Sequence, residues 1–386
     1  MPNPLRLPCA DGTLHSYTPE FRAWLPPPTK PFQSRVAFAA AHVVANSFLD
    51  QNPNETAQLD WDATLAYRRH LLTYGFSLAE AMDTAQRGMG MDWETAKELI
   101  RQSAIEARAF GHGIAAGVGT DHLPNTPQTL DRIEAAYLEQ AAFVEGVGAG
   151  VILMSSRHLV AAAKSPEDFE RVYDKVLSQV SKPVILHWLG DAFDTQLAGY
   201  WGTNNLDQAM QTCLGVIQNH ASKIDGIKLS LLDKQREIEL RRLLPNGVRM
   251  YTGDDFNYPE LILGDTSHHS HALLGIFDAI APVASQALCA LDQTDIKTYH
   301  ALLEPTVELS RHIFQTPTYN YKTGIVFLAY LNGFQNHFRM VGGLESARSI
   351  VHLGQIYKLA DLAGLIRLPD LAMRRIKLTL ALAGIE

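Results

Sequence analysis

The chain has 386 residues, with 33 Lys and Arg against 41 Asp and Glu, a formal net charge of −8 when histidine is neutral. Hydrophobic residues make up 46% and charged residues 19%, which excludes a disordered, collagen-like or coiled-coil chain and leaves material for a large core. The acidic balance and the dispersed cations exclude a basic nucleic-acid-binding stripe. Cys9, Cys213 and Cys289 have neither metal-ligand spacing nor the even count of a disulfide framework, so a reducing cytoplasm is the expected compartment. Residues 1–31 carry prolines and charges in place of an apolar leader, and the longest apolar stretch, 36–45, is interrupted by His42. Neither a signal peptide nor a membrane span is expected. Histidine is the unusual residue, with 15 copies, many at the ends of apolar runs.

Residues 1–34, with the run Pro26-Pro27-Pro28, read as an irregular N-terminal extension. From 35 onward, short β-prone runs alternate with stretches of helical period. Runs at 35–44, 77–82, 113–119 and 150–155 precede helices at 60–74, 92–110, 126–144 and 166–181, with Asp60 as the first cap. Runs at 183–189, 226–231 and 248–252 precede helical stretches or turns, and an eighth run covers 271–277. Eight strand–helix units in about 250 residues predict an α/β (β/α)8 TIM barrel over 35–290. The Gly-rich pieces at 111–113 and 146–150 precede strands, where a doubly wound dinucleotide fold needs them to follow one. Beyond Pro282 the pattern is helical, at 284–290, 296–314, 322–331, 344–360 and 368–382. A C-terminal helical appendage over 291–386 follows, of the kind that serves as an oligomer or lid surface.

Barrel enzymes work at the C-terminal ends of their strands. Those positions hold Asp83, Thr84 and Arg87 after the second strand, Asp121 and His122 after the third, and Arg157 and His158 after the fourth. They also hold His187 at the fifth, Lys228 in the sixth, Asp254 and Asp255 after the seventh, and His268, His269 and His271 near the eighth. Each has a plain structural reading: the Asp pair as helix caps, the last histidines as a solvated loop, and Tyr319 and Tyr321 as packing for a C-terminal helix. Lys228 is the most informative. Alternation along the strand turns Gly226, Lys228 and Ser230 inward and Ile227 and Leu229 outward. Desolvation there lowers a lysine pKa towards the free amine that Schiff-base chemistry requires. A lysine paired with a neighbouring carboxylate is the alternative.

Gly226-Ile227-Lys228 resembles the Schiff-base strand of the dihydrodipicolinate synthase and N-acetylneuraminate lyase family, the class I aldolase-type barrels. Val118-Gly119-Thr120, Gly148-Ala149-Gly150-Val151, Pro183-Val184-Ile185-Leu186 and Thr252-Gly253-Asp254-Asp255 resemble that family's third, fourth, fifth and seventh strands, in the same order. The resemblance implies a catalytic Lys228 and a homo-oligomer. It also places His187 where the family has a proton-shuttling tyrosine, a role that histidine can fill near neutral pH. Asp83-Thr84-Ala85-Gln86-Arg87 stands in place of the family's carboxylate-gripping Gly-Thr-Thr-Gly-Glu, keeping only Thr84 in type, and Arg157 and His158 replace paired tyrosines. The substrate is therefore not inherited from the parent enzymes.

The leading expectation is a carbon–carbon or carbon–oxygen lyase, aldolase or dehydratase that forms an imine on Lys228 with a small oxo acid or keto-sugar-derived carbonyl compound. His187 would exchange protons. Thr84, Arg87, Asp121, His122, Arg157, His158, Asp254 and Asp255 would bind substrate, and no cofactor is needed because the lysine imine is the electron sink. One alternative is a metal-dependent sugar isomerase or epimerase with a divalent ion held by His122, His158, His187 and an aspartate, Lys228 acting only through its charge. The other is a non-catalytic ligand-binding barrel.

Overall fold

Alternation of β-prone runs with capped helices produces the parallel architecture that the sequence predicts. The computed structural model describes residues 4–49, 52–53 and 55–385. Strands β1 (Leu5–Pro8) and β2 (Leu14–Tyr17) form an antiparallel hairpin in the N-terminal extension. Eight strands then close a parallel barrel: β3 (Ala37–Ala40), β4 (Ser77–Glu80), β5 (Ile114–Val118), β6 (Gly150–Met154), β7 (Val184–Leu189), β8 (Ile224–Ser230), β9 (Arg249–Thr252) and β10 (His271–Leu274). Closure comes from β10 pairing with β3, Ala272 opposite Ala37. The protein is a (β/α)8 TIM barrel with C-terminal helices.

Local signals fix the helices. Asp60, Asp92 and Thr129 accept backbone N–H bonds at the starts of Trp61–Thr73, Trp93–Ala109 and Leu130–Gly146. Two expected boundaries move. The eighth strand stops at Leu274, and Ile276 opens the helix Ile276–Asp292, which runs through Pro282. Ile280, at φ −113° and ψ 15°, loosens the turn before that proline and relieves its clash with the preceding turn. The segment 341–347 is a short 3-10 turn, and the next helix, Ile350–Leu362, is capped by Ser349.

Apolar side chains fill two layers. The larger lies between strands and helices and includes Ile227 and Leu229, and the smaller fills the barrel interior with Ala40, Ala79, Met82, Ala115, Ile152, Ile185, Tyr251 and Leu273. Gly226 is a required small residue, because a Cβ there would stand 2.7 Å from the Tyr251 ring. The N-terminal extension is not wholly irregular, because the Asp361 carboxylate anchors it to the last helices, accepting from Tyr17 Oη at 2.6 Å and from the Glu20 and Phe21 amides at 2.8 and 2.9 Å. Helix Tyr321–Leu331 is buried along its whole length. It delivers Tyr321 to the C-terminal mouth of the barrel. Among the described residues, no helix is long and apolar enough to cross a membrane.

Candidate active site

Strand alternation brings Lys228 and Ser230 to the barrel mouth. Lys228 is 8% exposed, and it opens into a chamber of about 10 Å³, room for about one water. Asp83, Thr84, Leu189, Ser230, Asp255 and Tyr321 are among its walls. Burial lowers the pKa of the ammonium group, and Asp255 and Asp83 oppose that shift through space without hydrogen-bonding it. Among the described residues Lys228 has no ion-pair partner, so the paired-lysine alternative is not realised. Gly253 makes room for the lysine stem: a Cβ there would lie 2.8 Å from Lys228 Cε and 2.2 Å from Ser230 Oγ.

His187 is the register partner of Lys228 across β7 and β8. It is buried, its Nε2 lies 3.2 Å from Ser230 Oγ, and its Nδ1 has no hydrogen-bond partner among the described residues. Burial, aided by the charge of Lys228, pushes its pKa well below the ordinary histidine range, so the ring is neutral. Ser230 thus touches His187 on one side and lines the lysine chamber on the other. Burial pushes the Asp255 carboxyl up to about 7 although its Oδ1 accepts from the Ile276 amide at 2.9 Å. Thr84 Oγ1 lies 2.8 Å from Tyr321 Oη, and Tyr321 stacks on Phe314 with ring centroids 4.3 Å apart.

A wider cavity of about 570 Å³ adjoins the chamber and shares Asp83 and Leu189 with it. That volume lies within the common range for small-molecule sites. His187, Thr120, Asp121, Ser155, Ser156, Arg157, His158 and Asp194 line it. His158 Nδ1 is 3.0 Å from Thr120 Oγ1, which is 2.7 Å from Ser156 Oγ. Arg157 Nε is 2.5 Å from Asp194 Oδ2 at the rim.

The other expected residues are held by protein partners. Arg87 donates to both oxygens of Asp121 at 2.9 and 2.7 Å, to Gln140 Oε1 at 2.5 Å, and to the carbonyls of Gly117 and Ala81. Its five N–H groups are thereby occupied. Burial works against the Asp121 charge, but Arg87 and Gln140 hold its pKa down at about 2. His122 turns from the cavity to Gln140 Nε2, at 2.7 Å, and towards Glu139. Asp254 accepts from the Phe256 and Asn257 amides at 2.8 and 3.0 Å and so caps its own loop. His271 lies at the start of β10, at the opposite barrel mouth, where Nδ1 accepts from the Val36 amide at 2.9 Å. His122, His158 and His187 face three different neighbours, and among the described residues no group of three or more His, Cys, Asp or Glu is placed to hold a metal ion.

Sequence reasoning gave Tyr321 only a packing role and did not single out Lys322, the next residue on the same helix. Lys322 is buried, donates to the Tyr319 carbonyl at 3.0 Å, and lies over the Tyr321 ring at 4.6 Å. Burial lowers its pKa to about 8 against the opposing pull of Asp83 and Asp194. A lone lysine at the head of the apolar run 323–331 is the sequence signal that could have marked it.

Residues 5–385 match the family described as "Protein of unknown function (DUF993)". No curated protein matches the sequence. Among solved structures, dihydrodipicolinate synthase from Aquifex aeolicus superposes with a TM-score of 0.64 at 13% identity, covering 86% of this chain and 99% of that one. The chloride-inhibited enzyme from Acinetobacter baumannii complexed with pyruvate gives 0.63 at 15% identity, covering 86% and 100%. DapA-2 from Bacillus anthracis gives 0.61 at 15% identity, covering 84% and 97%. The fold is that of the dihydrodipicolinate synthases.

Proposed function

The chain belongs to the DUF993 family, and for this member we propose a lyase of the class I aldolase type that forms an imine between Lys228 and a small oxo acid or keto-sugar-derived carbonyl compound. One observation carries the reading. Lys228 is a buried lysine that has no ion-pair partner among the described residues and faces a water-sized chamber beside a neutral histidine. Its fold-level likeness to aldolase-type barrels agrees.

The Lys228 Nζ lone pair adds to the substrate carbonyl carbon, and the oxygen takes up a proton. The carbinolamine hydroxyl takes up a second proton from solvent and leaves as water, giving an iminium ion. When the carbon–carbon bond beside the imine breaks, its electron pair flows into the iminium to give an enamine, and the hydroxyl on the departing carbon becomes a carbonyl as its proton passes to His187 directly or through Ser230. Protonation of the enamine and hydrolysis of the imine return free Lys228. Asp255 stabilises the cationic imine through space. Tyr321 fixes Thr84 at the chamber wall. Arg157, His158 and Asp121 bound the part of the substrate in the wide cavity, Arg87 and Asp254 hold loops in place, and His122 lies behind that wall. No metal or organic cofactor enters the cycle.

The three free cysteines suit a reducing cytoplasm. The exposed side chains of Leu378 and Leu382, one turn apart on the last helix, offer an apolar stripe to a second copy in a homo-oligomer. Sodium borohydride added during turnover tests the chemistry. Irreversible inactivation that needs both borohydride and the carbonyl substrate is expected, and retention of full activity contradicts the imine.

A further inference from the structure

Two carboxylates and no cation other than the nucleophile line the chamber around Lys228. Asp83 and Asp255 both act on the charge of Lys228. The remaining walls are apolar side chains, the Ser230 and Thr84 hydroxyls, and the Tyr321 ring. Among the described residues, no other cation lines the chamber. The Arg87 guanidinium is filled by Asp121, Gln140 and backbone carbonyls, Arg157 is paired with Asp194, and Lys322 lines neither cavity and donates to the Tyr319 carbonyl.

We propose that the compound forming the imine carries no charge beside its carbonyl, and that it is a neutral hydroxy-aldehyde or hydroxy-ketone of the sugar type instead of a 2-oxo acid. The proposal rests on the imine reading and specifies its substrate class. A 2-oxo acid places its carboxylate one bond from the carbon that Lys228 attacks. That carboxylate would enter a nearly dry chamber already holding Asp83 and Asp255, where like charges are costly and no guanidinium lines the wall to offset them. Asp255 is protonated in part near neutral pH, so its share of the repulsion is partial. A hydroxyl at the same place donates to Asp83 and accepts from a protonated Asp255, so both groups become binding partners. Asp83 also borders the wide cavity, where Thr120, Asn125, Ser155, His158 and Gln196 present further polar groups to a hydroxylated tail.

In the trapping reaction, Lys228 Nζ and the carbonyl compound lose water to form the iminium ion. Borohydride then delivers hydride to the iminium carbon and leaves a secondary amine. Wild-type protein is incubated with borohydride and either dihydroxyacetone or pyruvate at equal concentration. Adduct on Lys228 is read by intact and peptide mass, normalised to trapping of the same compounds on Nα-acetyl-lysine. The expected result is a dihydroxyacetone adduct exceeding the pyruvate adduct about tenfold, with Asp83→Asn or Asp255→Asn raising the pyruvate share about fivefold as a repelling charge is removed. Equal or greater pyruvate trapping on Lys228 overturns the substrate class while leaving the imine intact. A ratio unmoved in both variants also overturns it. No adduct from either compound, nor from a wider set of ketoses, aldoses and oxo acids, overturns the imine reading itself.

Discussion

At the scale of single residues, the proposed chemistry rests on the contrast between Lys228, buried and without an ion pair among the described residues, and Arg87, buried and fully bonded. Strand alternation alone reveals that Lys228 points inward. It does not reveal the pairing state of a cation, because Asp121 and Gln140, the groups that occupy Arg87, lie 34 and 53 residues further along the chain. His187 was legible in the same way, by strand position, but its bond to Ser230 depends on the β7–β8 register, which spacing does not give. Replacing His187 with Gln is expected to lower kcat by about 10² to 10⁴, the usual worth of a positioned proton-transfer group. Borohydride trapping on Lys228 should survive in that variant, and a kcat within a factor of two of wild type contradicts the assignment. Gly253→Ala drives a methyl into Ser230 Oγ and the Lys228 stem. Slower trapping without loss of secondary structure is expected, measured by adduct formation alongside circular dichroism.

At the scale of elements, the loop after β4 is braced to the one after β5 by Arg87, Asp121 and Gln140, and it is tied to the C-terminal helix by Thr84 and Tyr321. The Arg87 side chain is 2% exposed and that of Asp121 is 29% exposed, so the pair is largely withdrawn from water. Arg87→Ala is expected to cost about 1 to 3 kcal/mol of unfolding free energy, since it breaks five hydrogen bonds but leaves Asp121 partly in water and bonded to Gln140. Urea denaturation measures it. Unchanged stability with a raised KM would instead make Arg87 a substrate clamp. Caps and apolar period placed most helices in advance, but Pro282 misled because a proline is a stop signal only where the preceding turn cannot open. Ile280 opens it. Tyr321 escaped notice because the contacts that bring a distant helix to the barrel mouth leave no local pattern.

At the scale of the whole molecule, eight alternating units were enough to read the barrel, since parallel strands buried on both sides carry a strong apolar signal. The acid–base balance of its interior was not readable, because it depends on burial. Burial pushes the Glu237 carboxyl up to about 8 from an ordinary 4.5, against the hydrogen bond from Ser270. The fold therefore favours the protonated form. Its contribution to stability is full below about pH 4.5 and is lost as pH rises through 8. Relative to Glu237→Gln, wild-type unfolding free energy should fall between pH 5 and 8 by up to about 1.4 kcal/mol per pH unit. Chemical denaturation at those two pH values checks it, and parallel curves for the two proteins contradict it. The proposed cycle depends on the covalent role of one lysine. Its most direct test is the peptide-resolved mass of wild-type and Lys228→Ala protein after borohydride treatment with a carbonyl compound that the wild type turns over. A stable added mass on the Lys228 peptide of the wild type, with none in an inactive but folded Lys228→Ala, is the predicted result. A turned-over substrate that leaves no adduct on Lys228, or a fully active Lys228→Ala, would contradict it.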